Sequence, residues 1–341
     1  MVRTAVVTGA SGYVATELVK QLLEKGYDVR ATVRSVSAKE KVRHLELLGQ
    51  ALPGNLVLCE GDLLKPGSFD EAVKGADYVF HTASPFVAGK PEDPEEFFVK
   101  PAVEGTKNVL SSVLKHKDTV KRVVITSSFA AIVKPEGGPA NGKVYTPEEW
   151  NTESTLETGA YRVSKTQAER AAWDFCNHHG IDLVTINPTY VLGPVTSRRV
   201  DAQSVQNFID VLEGRGAPLM MWMVDVRDVA RAHVRAAELP QAKGRYLCSV
   251  EMTTTPREVS DLLSARFPEY DFLQLHEGKK FQHNDCSKTA KDLGFNITPP
   301  EHSSHPSQKA LGGEGRKLAT SADEMHPPCQ AACCFQGHGG S

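Results

Sequence analysis

The sequence lacks the features that mark membrane, secreted and nucleic-acid-binding proteins. No apolar run approaches the roughly 20 residues that a membrane-spanning helix needs. The first residues lead directly into an apolar strand pattern, which leaves no room for the parts of a signal peptide. Lysine and arginine form no extended run, and the formal net charge is only -3. We therefore expect a cytoplasmic protein that binds small molecules, without a nucleic-acid or membrane partner.

Cysteine is scarce and scattered through most of the chain. Isolated cysteines usually serve as small core side chains, so we predict no disulfide framework. The C-terminal cysteines and histidines do not have the spacing of a closed zinc site, and we predict no metal. The seven cysteines are Cys59, Cys176, Cys248 and Cys286 in the body, and Cys329, Cys333 and Cys334 near the end.

Strand-length apolar runs alternate with helix-length amphipathic stretches through the first half of the chain. This alternation predicts an α/β fold with a doubly wound parallel sheet of the Rossmann kind. The predicted strands are 3–8, 28–33, 56–60, 77–82, 122–126 and 183–186.

The regular alternation weakens from about residue 194. We predict an NADP-binding domain over residues 1–190 and a smaller substrate-binding lobe, interleaved with it, over residues 191–299. In that lobe we expect helices at 202–213, 226–238 and 256–266, with a strand at 245–250. Residues 300–341 lack hydrophobic periodicity, and we expect them to be disordered.

A glycine-rich turn separates the first predicted strand from the first helix. Its sequence is Thr8-Gly9-Ala10-Ser11-Gly12-Tyr13-Val14-Ala15. Gly9 permits a tight turn, Gly12 lets the backbone approach a pyrophosphate, and the following helix offers its N-terminus to the phosphates. We expect Gly9, Ser11, Gly12, Tyr13 and Val14 to bind a dinucleotide.

The end of the second strand distinguishes NADPH from NADH. A carboxylate there would accept from the ribose 2′-hydroxyl, whereas this strand ends in Arg34, with Lys39 and Lys41 just beyond it. A guanidinium grips a 2′-phosphate in bidentate fashion. We therefore predict NADPH, held by Arg34 and Lys41, and leave open whether Lys39 is only a solvated surface charge.

Polar residues follow the third and fourth strands. Asp62 and Leu63 are placed to contact the adenine edge. Thr82, Ala83 and Ser84 would run beside the ribose and the pyrophosphate, because the carboxyl ends of parallel strands bind the ligand.

Two residues with i, i+4 spacing suggest proton transfer. Tyr161 and Lys165 lie on one face of a predicted helix. A free phenol has a pKa of about 10, and a neighbouring ammonium favours the ionised form that acid–base catalysis uses. Ser128, at the end of the fifth strand, can donate a hydrogen bond to a reacting carbonyl oxygen together with Tyr161.

These motifs together resemble the extended short-chain dehydrogenase/reductases. The similarity is greatest to the group of dihydroflavonol 4-reductase, cinnamoyl-CoA reductase and yeast methylglyoxal/ketone reductase, and it extends through most of the chain. The segments that carry it are 8–15, 70–72, 81–85, 101–110, 126–128, 161–165, 187–194 and 224–230.

The resemblance implies an NADPH-dependent reductase that transfers a hydride to a small aldehyde or ketone. Ser128, Tyr161 and Lys165 would be catalytic, with Lys165 also binding the nicotinamide ribose. Asn108 would support a proton-relay water, although a buried structural amide explains it equally well. Pro188, Thr189, Val191 and Ser204 would contact the cofactor. A monomer or a homodimer fits the relatives.

Two departures from the group bear on the substrate. The stretch 129–133 carries no asparagine after the strand-end serines, which argues against a flavonoid. The tryptophan and cysteine that surround the catalytic tyrosine in cinnamoyl-CoA reductases are also missing. Two alternatives stay open: an NAD-dependent sugar-nucleotide epimerase or dehydratase, and a non-catalytic dinucleotide-binding sensor or scaffold.

Overall fold

The computed structural model describes residues 2–84, 92–134, 144–196, 206, 210, 222–266, 277 and 283–299. Three predictions lie outside these residues: Ser204, most of the helix at 202–213, and the C-terminal tail from 300 to 341. In the described part, no helix has both the length and the apolar character needed to cross a membrane.

Seven parallel strands form the central sheet, in the order β3-β2-β1-β4-β5-β6-β9. This arrangement confirms the predicted doubly wound α/β fold. Strands β1, β4 and β6 are buried along nearly their whole length, as expected where helices cover both faces of a sheet. The strands are β1 (Thr4–Thr8), β2 (Asp28–Val33), β3 (Asn55–Glu60), β4 (Tyr78–His81), β5 (Arg122–Thr126), β6 (Leu183–Pro188) and β9 (Gly244–Cys248).

Two short strands form a separate parallel pair. They are β7 (Tyr190–Leu192) and β8 (Met223–Asp225), and neither was predicted. Three residues are too few to show a strand period in the sequence. The strand predicted at 245–250 is the edge strand β9 of the main sheet, where it pairs with β6.

Helices cover both faces of the sheet. The helices at 226–238 and 256–266 have the predicted bounds, whereas the last short helix was not predicted. The helices are α1 (Tyr13–Glu24), α2 (Lys39–Ala51), α3 (Asp70–Val73), α4 (Lys100–Lys115), α5 (Leu156–His179), α6 (Val226–Glu238), α7 (Pro256–Arg266) and α8 (Ser287–Leu293). A π-helical turn, Glu95–Val99, precedes α4.

Helix α5 carries the predicted proton-transfer pair, and its N-terminus is firmly capped. Thr155 Oγ1 accepts from the backbone N–H of Thr158, and the Thr155 N–H donates to Thr158 Oγ1. Gly159 interrupts the helical dihedral angles in the first turn. Regular helix therefore begins just before Tyr161, so the helical spacing to Lys165 holds.

Candidate active site

The predicted site residues cluster at the carboxyl edge of the sheet, where β1 and β4 lie side by side. The chain order reverses at this point, since β2 and β3 lie on one side of β1 and β5 and β6 lie beyond β4. Thr8 at the end of β1 pairs in register with His81 at the end of β4. Open α/β sheets bind their ligands at such a reversal.

The glycine turn packs directly on the loop after β4. Gly9 has φ +63°, and a Cβ on it would lie 3.0 Å from both Cα and Cβ of Ala83. A Cβ on Gly12 would lie 3.2 Å from the carbonyl oxygen of Gly9. The positive φ and the close contact with Ala83 require glycine at position 9, and the tight contact with the Gly9 carbonyl oxygen favours glycine at position 12.

The N-terminus of α1 suits an anionic ligand. Gly12 is the N-cap and has no side chain to cap the helix, and the first turn holds no acidic residue. The positive end of the helix dipole is thus neither capped by a side chain nor neutralised by a carboxylate there. Ser11 and Val14 lie half-buried in this turn. The Tyr13 hydroxyl donates to the carbonyl oxygen of Gly193 at 2.7 Å, which ties the turn to the segment after β7.

The cations after β2 differ in their partners. Arg34 and Lys41 are both exposed, and neither side chain makes a hydrogen bond or ion pair with another described residue. Lys39 instead pairs with Glu46 on its own helix, with 2.9 Å between Nζ and Oε1. Arg34 and Lys41 can turn to a phosphate without breaking a hydrogen bond or ion pair to the part of the chain that the structure describes, whereas Lys39 would have to leave its carboxylate.

Asn108 joins two regions that the sequence treated separately. Its Nδ2 donates to the carbonyl oxygen of Leu63 at 2.7 Å, so α4 holds the loop after β3. Asp62 in that loop accepts from the Leu64 N–H through Oδ1 at 2.9 Å. This contact supports the structural interpretation of Asn108, because its amide positions the loop predicted to meet the adenine.

A buried histidine organises the ends of β1 and β4. His81 Nδ1 lies 2.9 Å from Thr8 Oγ1, which also accepts from the Ala83 N–H at 3.1 Å. The Thr82 hydroxyl donates to the Thr8 carbonyl oxygen at 2.5 Å. Burial, aided by the charge of Lys165, lowers the pKa of His81 to about 3. The imidazole is therefore neutral at physiological pH and acts as a fixed hydrogen-bonding group.

Tyr161 and Lys165 lie about one turn apart on α5, and Lys165 reaches the loop after β4. Lys165 Nζ donates to Ser84 Oγ at 3.0 Å and lies 5.8 Å from the centroid of the Tyr161 ring. Tyr161 is 47% exposed, and its hydroxyl makes no hydrogen bond to any other described residue. The phenol is thus accessible to a ligand and has an ammonium close by.

Ser128 lies at the end of β5, in the turn that contacts α5. Its Oγ accepts from the Ala130 N–H at 3.1 Å, which caps a short 3₁₀ turn, Phe129–Ala131. The hydroxyl proton is not used in that bond, so it can be donated to a substrate oxygen. Ser128 is half-buried, consistent with a place in the wall of a cleft.

The residues after β6 contact β9. The Thr189 N–H donates to the Cys248 carbonyl oxygen at 3.1 Å, and Pro188 and Val191 are buried. The predicted cofactor contacts of these three residues stay predictions.

A buried ion pair behind the strand ends was not predicted. Glu169 on α5 and Arg245 on β9 lie 2.7 Å apart, with exposures of 1% and 8% for their side chains. The sequence held a signal for Glu169, since it follows Tyr161 and Lys165 at helical spacing. It held none for Arg245, which is distant in the chain and lies on another strand.

Cysteine chemistry plays no part in the described site. Cys176, Cys248 and Cys286 are buried, and burial raises the pKa of Cys176 and of Cys286 to about 12. These thiols are accordingly unreactive near neutral pH. No cluster of three or more His, Cys, Asp or Glu side chains among the described residues could hold a metal ion.

Comparisons with known proteins define the family. The chain matches the model of the NAD dependent epimerase/dehydratase family over residues 5–248, and it belongs to that family. It is 40% identical to cinnamoyl-CoA reductase CAD2 of Medicago truncatula over 306 residues, which are 86% of this chain and 91% of the relative.

Solved structures similar to this chain include reductases as well. Gre2 of Candida albicans, in complex with NADPH, superposes with a TM-score of 0.77 at 32% identity, covering 87% of this chain and 95% of Gre2. Yeast methylglyoxal/isovaleraldehyde reductase Gre2, also with NADPH, gives 0.76 at 29% identity, covering 87% and 94%. These matches confirm the predicted family and enzyme class, an oxidoreductase of the extended short-chain dehydrogenase/reductase type.

Proposed function

We propose that the protein is an NADPH-dependent reductase that converts the carbonyl group of a small aldehyde or ketone to an alcohol. One observation carries this proposal: the glycine turn and the lysine of the proton-transfer pair contact two adjacent residues of the loop after β4. Gly9 packs on Ala83, and Lys165 donates to Ser84. A dinucleotide that crosses the glycine turn would therefore reach Tyr161 and Lys165 with its far end.

The described residues suit NADPH. The uncapped N-terminus of α1 and the close-packed Gly9 and Gly12 fit a pyrophosphate. The side chains of Arg34 and Lys41, exposed and unpaired among the described residues, fit the 2′-phosphate, with Arg34 providing bidentate hydrogen bonds. The NADPH complexes of the two Gre2 relatives support the same choice.

In this mechanism NADPH supplies the hydride that is added to the carbonyl carbon, and it leaves as NADP⁺. Ser128 and Tyr161 donate hydrogen bonds to the carbonyl oxygen, and Tyr161 transfers its proton to that oxygen as the alcohol forms. The Lys165 ammonium stabilises the phenolate left on Tyr161, which then regains a proton from solvent. Ser84 holds Lys165 in place through its Oγ.

The substrate class rests on the stretches around the site as well as on the relatives. The cinnamoyl-CoA reductase signature around the tyrosine and the flavonoid-associated asparagine are absent here. The relatives include an enzyme named for methylglyoxal and isovaleraldehyde. We therefore propose a small carbonyl compound rather than a thioester or a flavonoid. The cytoplasmic location, the monomeric or homodimeric state and the division into domains at residue 190 are part of the same proposal.

A screen of NADPH oxidation tests this function. Purified full-length protein is assayed with aldehydes, α-dicarbonyls, β-ketoesters, CoA thioesters and dihydroflavonols, each with NADPH and with NADH. We expect turnover of aldehydes or ketones, faster with NADPH. Tightly bound NAD after purification, without net oxidation, would favour the epimerase or dehydratase. NADPH binding without any turnover would favour the non-catalytic sensor.

A further inference from the structure

The two carboxylate oxygens of Glu169 have largely different hydrogen-bond partners. Oε1 accepts from Arg245 Nε at 2.7 Å, Thr185 Oγ1 at 2.9 Å and Trp173 Nε1 at 3.3 Å. Oε2 accepts from Ser127 Oγ at 2.5 Å, from Asn187 Nδ2 at 2.8 Å and from Arg245 Nη2 at 3.3 Å. Arg245 therefore bonds both oxygens, whereas the bonds from Ser127 and Asn187, at the ends of β5 and β6, reach Oε2 alone.

The bonds of Oε2 reach the residue that we propose as a carbonyl-oxygen donor. Ser127 immediately precedes Ser128. Asn187 Nδ2, besides contacting Oε2, lies 3.2 Å from the carbonyl oxygen of Ser128, to which it also donates. Oε2 of Glu169 therefore restrains Ser128 in two ways. It bonds Ser127, the residue before Ser128, and it bonds Asn187, which in turn donates to the Ser128 carbonyl oxygen.

Further contacts hold Arg245, the ion-pair partner of Glu169, in a fixed position. Its Nη1 donates to the carbonyl oxygens of Pro147 at 2.7 Å and Glu149 at 2.5 Å, and its guanidinium carbon lies 3.8 Å from the Trp150 ring centroid. A buried carboxylate is stable only with a positive partner and a full set of donors, and Glu169 has both. Such a fully bonded cluster holds its members in one arrangement.

The same helix holds the other half of the proposed chemistry. Glu169 follows Lys165 by one turn and Tyr161 by two turns on α5. We propose that Glu169 is a positioning residue, which fixes the strand-end Ser128 relative to Tyr161 so that both hydroxyls reach one carbonyl oxygen. This inference rests on the proposed function.

A matched pair of variants tests whether the hydrogen bonds to Oε2, rather than those to Oε1, hold Ser128 in place. Ser127→Ala removes a donor to Oε2, and Trp173→Phe removes a donor to Oε1. Because a displacement of about 1 Å can lower a rate about 100-fold, we expect Ser127→Ala to reduce kcat by at least about tenfold, with KM for NADPH unchanged. Trp173→Phe should keep kcat within about twofold of the wild type, although both variants lose a bond to the same buried carboxylate.

Hydrogen exchange gives a readout that needs no turnover. The Ala131 N–H donates to the Ser128 carbonyl oxygen and the Ala130 N–H to Ser128 Oγ, so both amides report on the position of Ser128. We expect Ser127→Ala, and not Trp173→Phe, to speed their exchange at least about threefold through easier local opening.

The outcomes separate this inference from the proposed function. Wild-type kcat in Ser127→Ala, or an equal loss in Trp173→Phe, would make Glu169 a residue of the fold alone. If the wild type reduces no carbonyl compound, the proposed function fails. Exchange then decides the inference: unchanged rates at Ala130 and Ala131 in Ser127→Ala overturn it, and selective acceleration supports the anchoring of Ser128.

Discussion

The two halves of the candidate site are built in opposite ways. On the cofactor side, the turn between β1 and α1 offers backbone groups, and the side chains of Arg34 and Lys41 are exposed and unpaired among the described residues. On the reaction side, Ser128 is linked through Ser127 and Asn187 to the buried ion pair behind the strand ends, whose hydrogen-bonding groups are almost all engaged. Exposed side chains that are free to move can bind a large charged cofactor, whereas proton transfer requires groups held in a fixed geometry.

The largest expected effect breaks the reaction side alone. Tyr161→Phe removes the proposed proton donor, and we expect kcat for carbonyl reduction to fall about 10²- to 10⁴-fold. The affinity for NADPH, measured by fluorescence titration, should stay nearly unchanged. Tyr27→Phe is the control, because the Tyr27 hydroxyl bonds Glu238 far from the glycine turn. A Tyr161→Phe enzyme with wild-type turnover would remove this phenol from the mechanism.

The next effect breaks the cofactor side alone. Arg34→Ala removes a guanidinium that can bind the 2′-phosphate through charge-assisted hydrogen bonds worth about 1.5–3 kcal/mol. We expect KM for NADPH to rise about 10- to 100-fold, with little change in kcat. NADH, which lacks the phosphate, is the internal control, and its KM should not change. A parallel rise for both cofactors would mean that Arg34 supports the turn generally.

A smaller effect concerns His81, which lies where the two sides meet. Burial holds its folded pKa near 3, below the ordinary value of 6.5, so the unfolded chain takes up the proton first as the pH falls. This histidine therefore lowers the stability progressively between pH 6.5 and 3, by up to about 1.4 kcal/mol per pH unit. Denaturant unfolding measures that slope.

His81→Asn should lower the slope of the unfolding free energy against pH, between pH 6.5 and 5, by the amount that corresponds to about one proton taken up on unfolding. A residual slope is expected from His233, because burial lowers its pKa to about 4. The exposed His178→Asn serves as the matched control for the substitution of histidine by asparagine itself. If His81→Asn kept the full dependence on pH, acid destabilisation would have to arise elsewhere.

The smallest expected effect concerns the contact between the cofactor side and the reaction side, the hydrogen bond from Lys165 to Ser84. Ser84→Ala removes the acceptor for Lys165 at the point where the glycine turn meets the catalytic helix. The loss of one exposed hydrogen bond to a charged group should lower kcat/KM by only about five- to tenfold. Steady-state kinetics measure this change. A loss as large as that of Tyr161→Phe would show that Ser84 does more than hold the ammonium.

The sequence predicted the elements that depend on local pattern. The strands and helices of the main sheet, the glycine turn and the i, i+4 pair each arise from neighbours in the chain, and their periodicity is visible there. The helix at 226–238 appears with the predicted bounds because its apolar residues fall on one face.

The missed features depend on contacts between distant residues. The pairing of Glu169 with Arg245 requires β9 to lie beside β6, which no short-range pattern indicates. The bond from Asn108 to Leu63 likewise appears only when α4 packs over the loop after β3. Three-residue strands such as β7 and β8 exist because they pair with each other and not because of their own sequence.

Transfer of deuterium from the cofactor tests the central claim most directly. The wild-type protein is given NADPH carrying deuterium at both C4 positions of the nicotinamide, together with a carbonyl compound that it reduces. Mass spectrometry should find one deuterium on the former carbonyl carbon of the alcohol and none exchanged into solvent. An alcohol without deuterium, or a cofactor that stays bound and unchanged while another substrate turns over, would contradict the account.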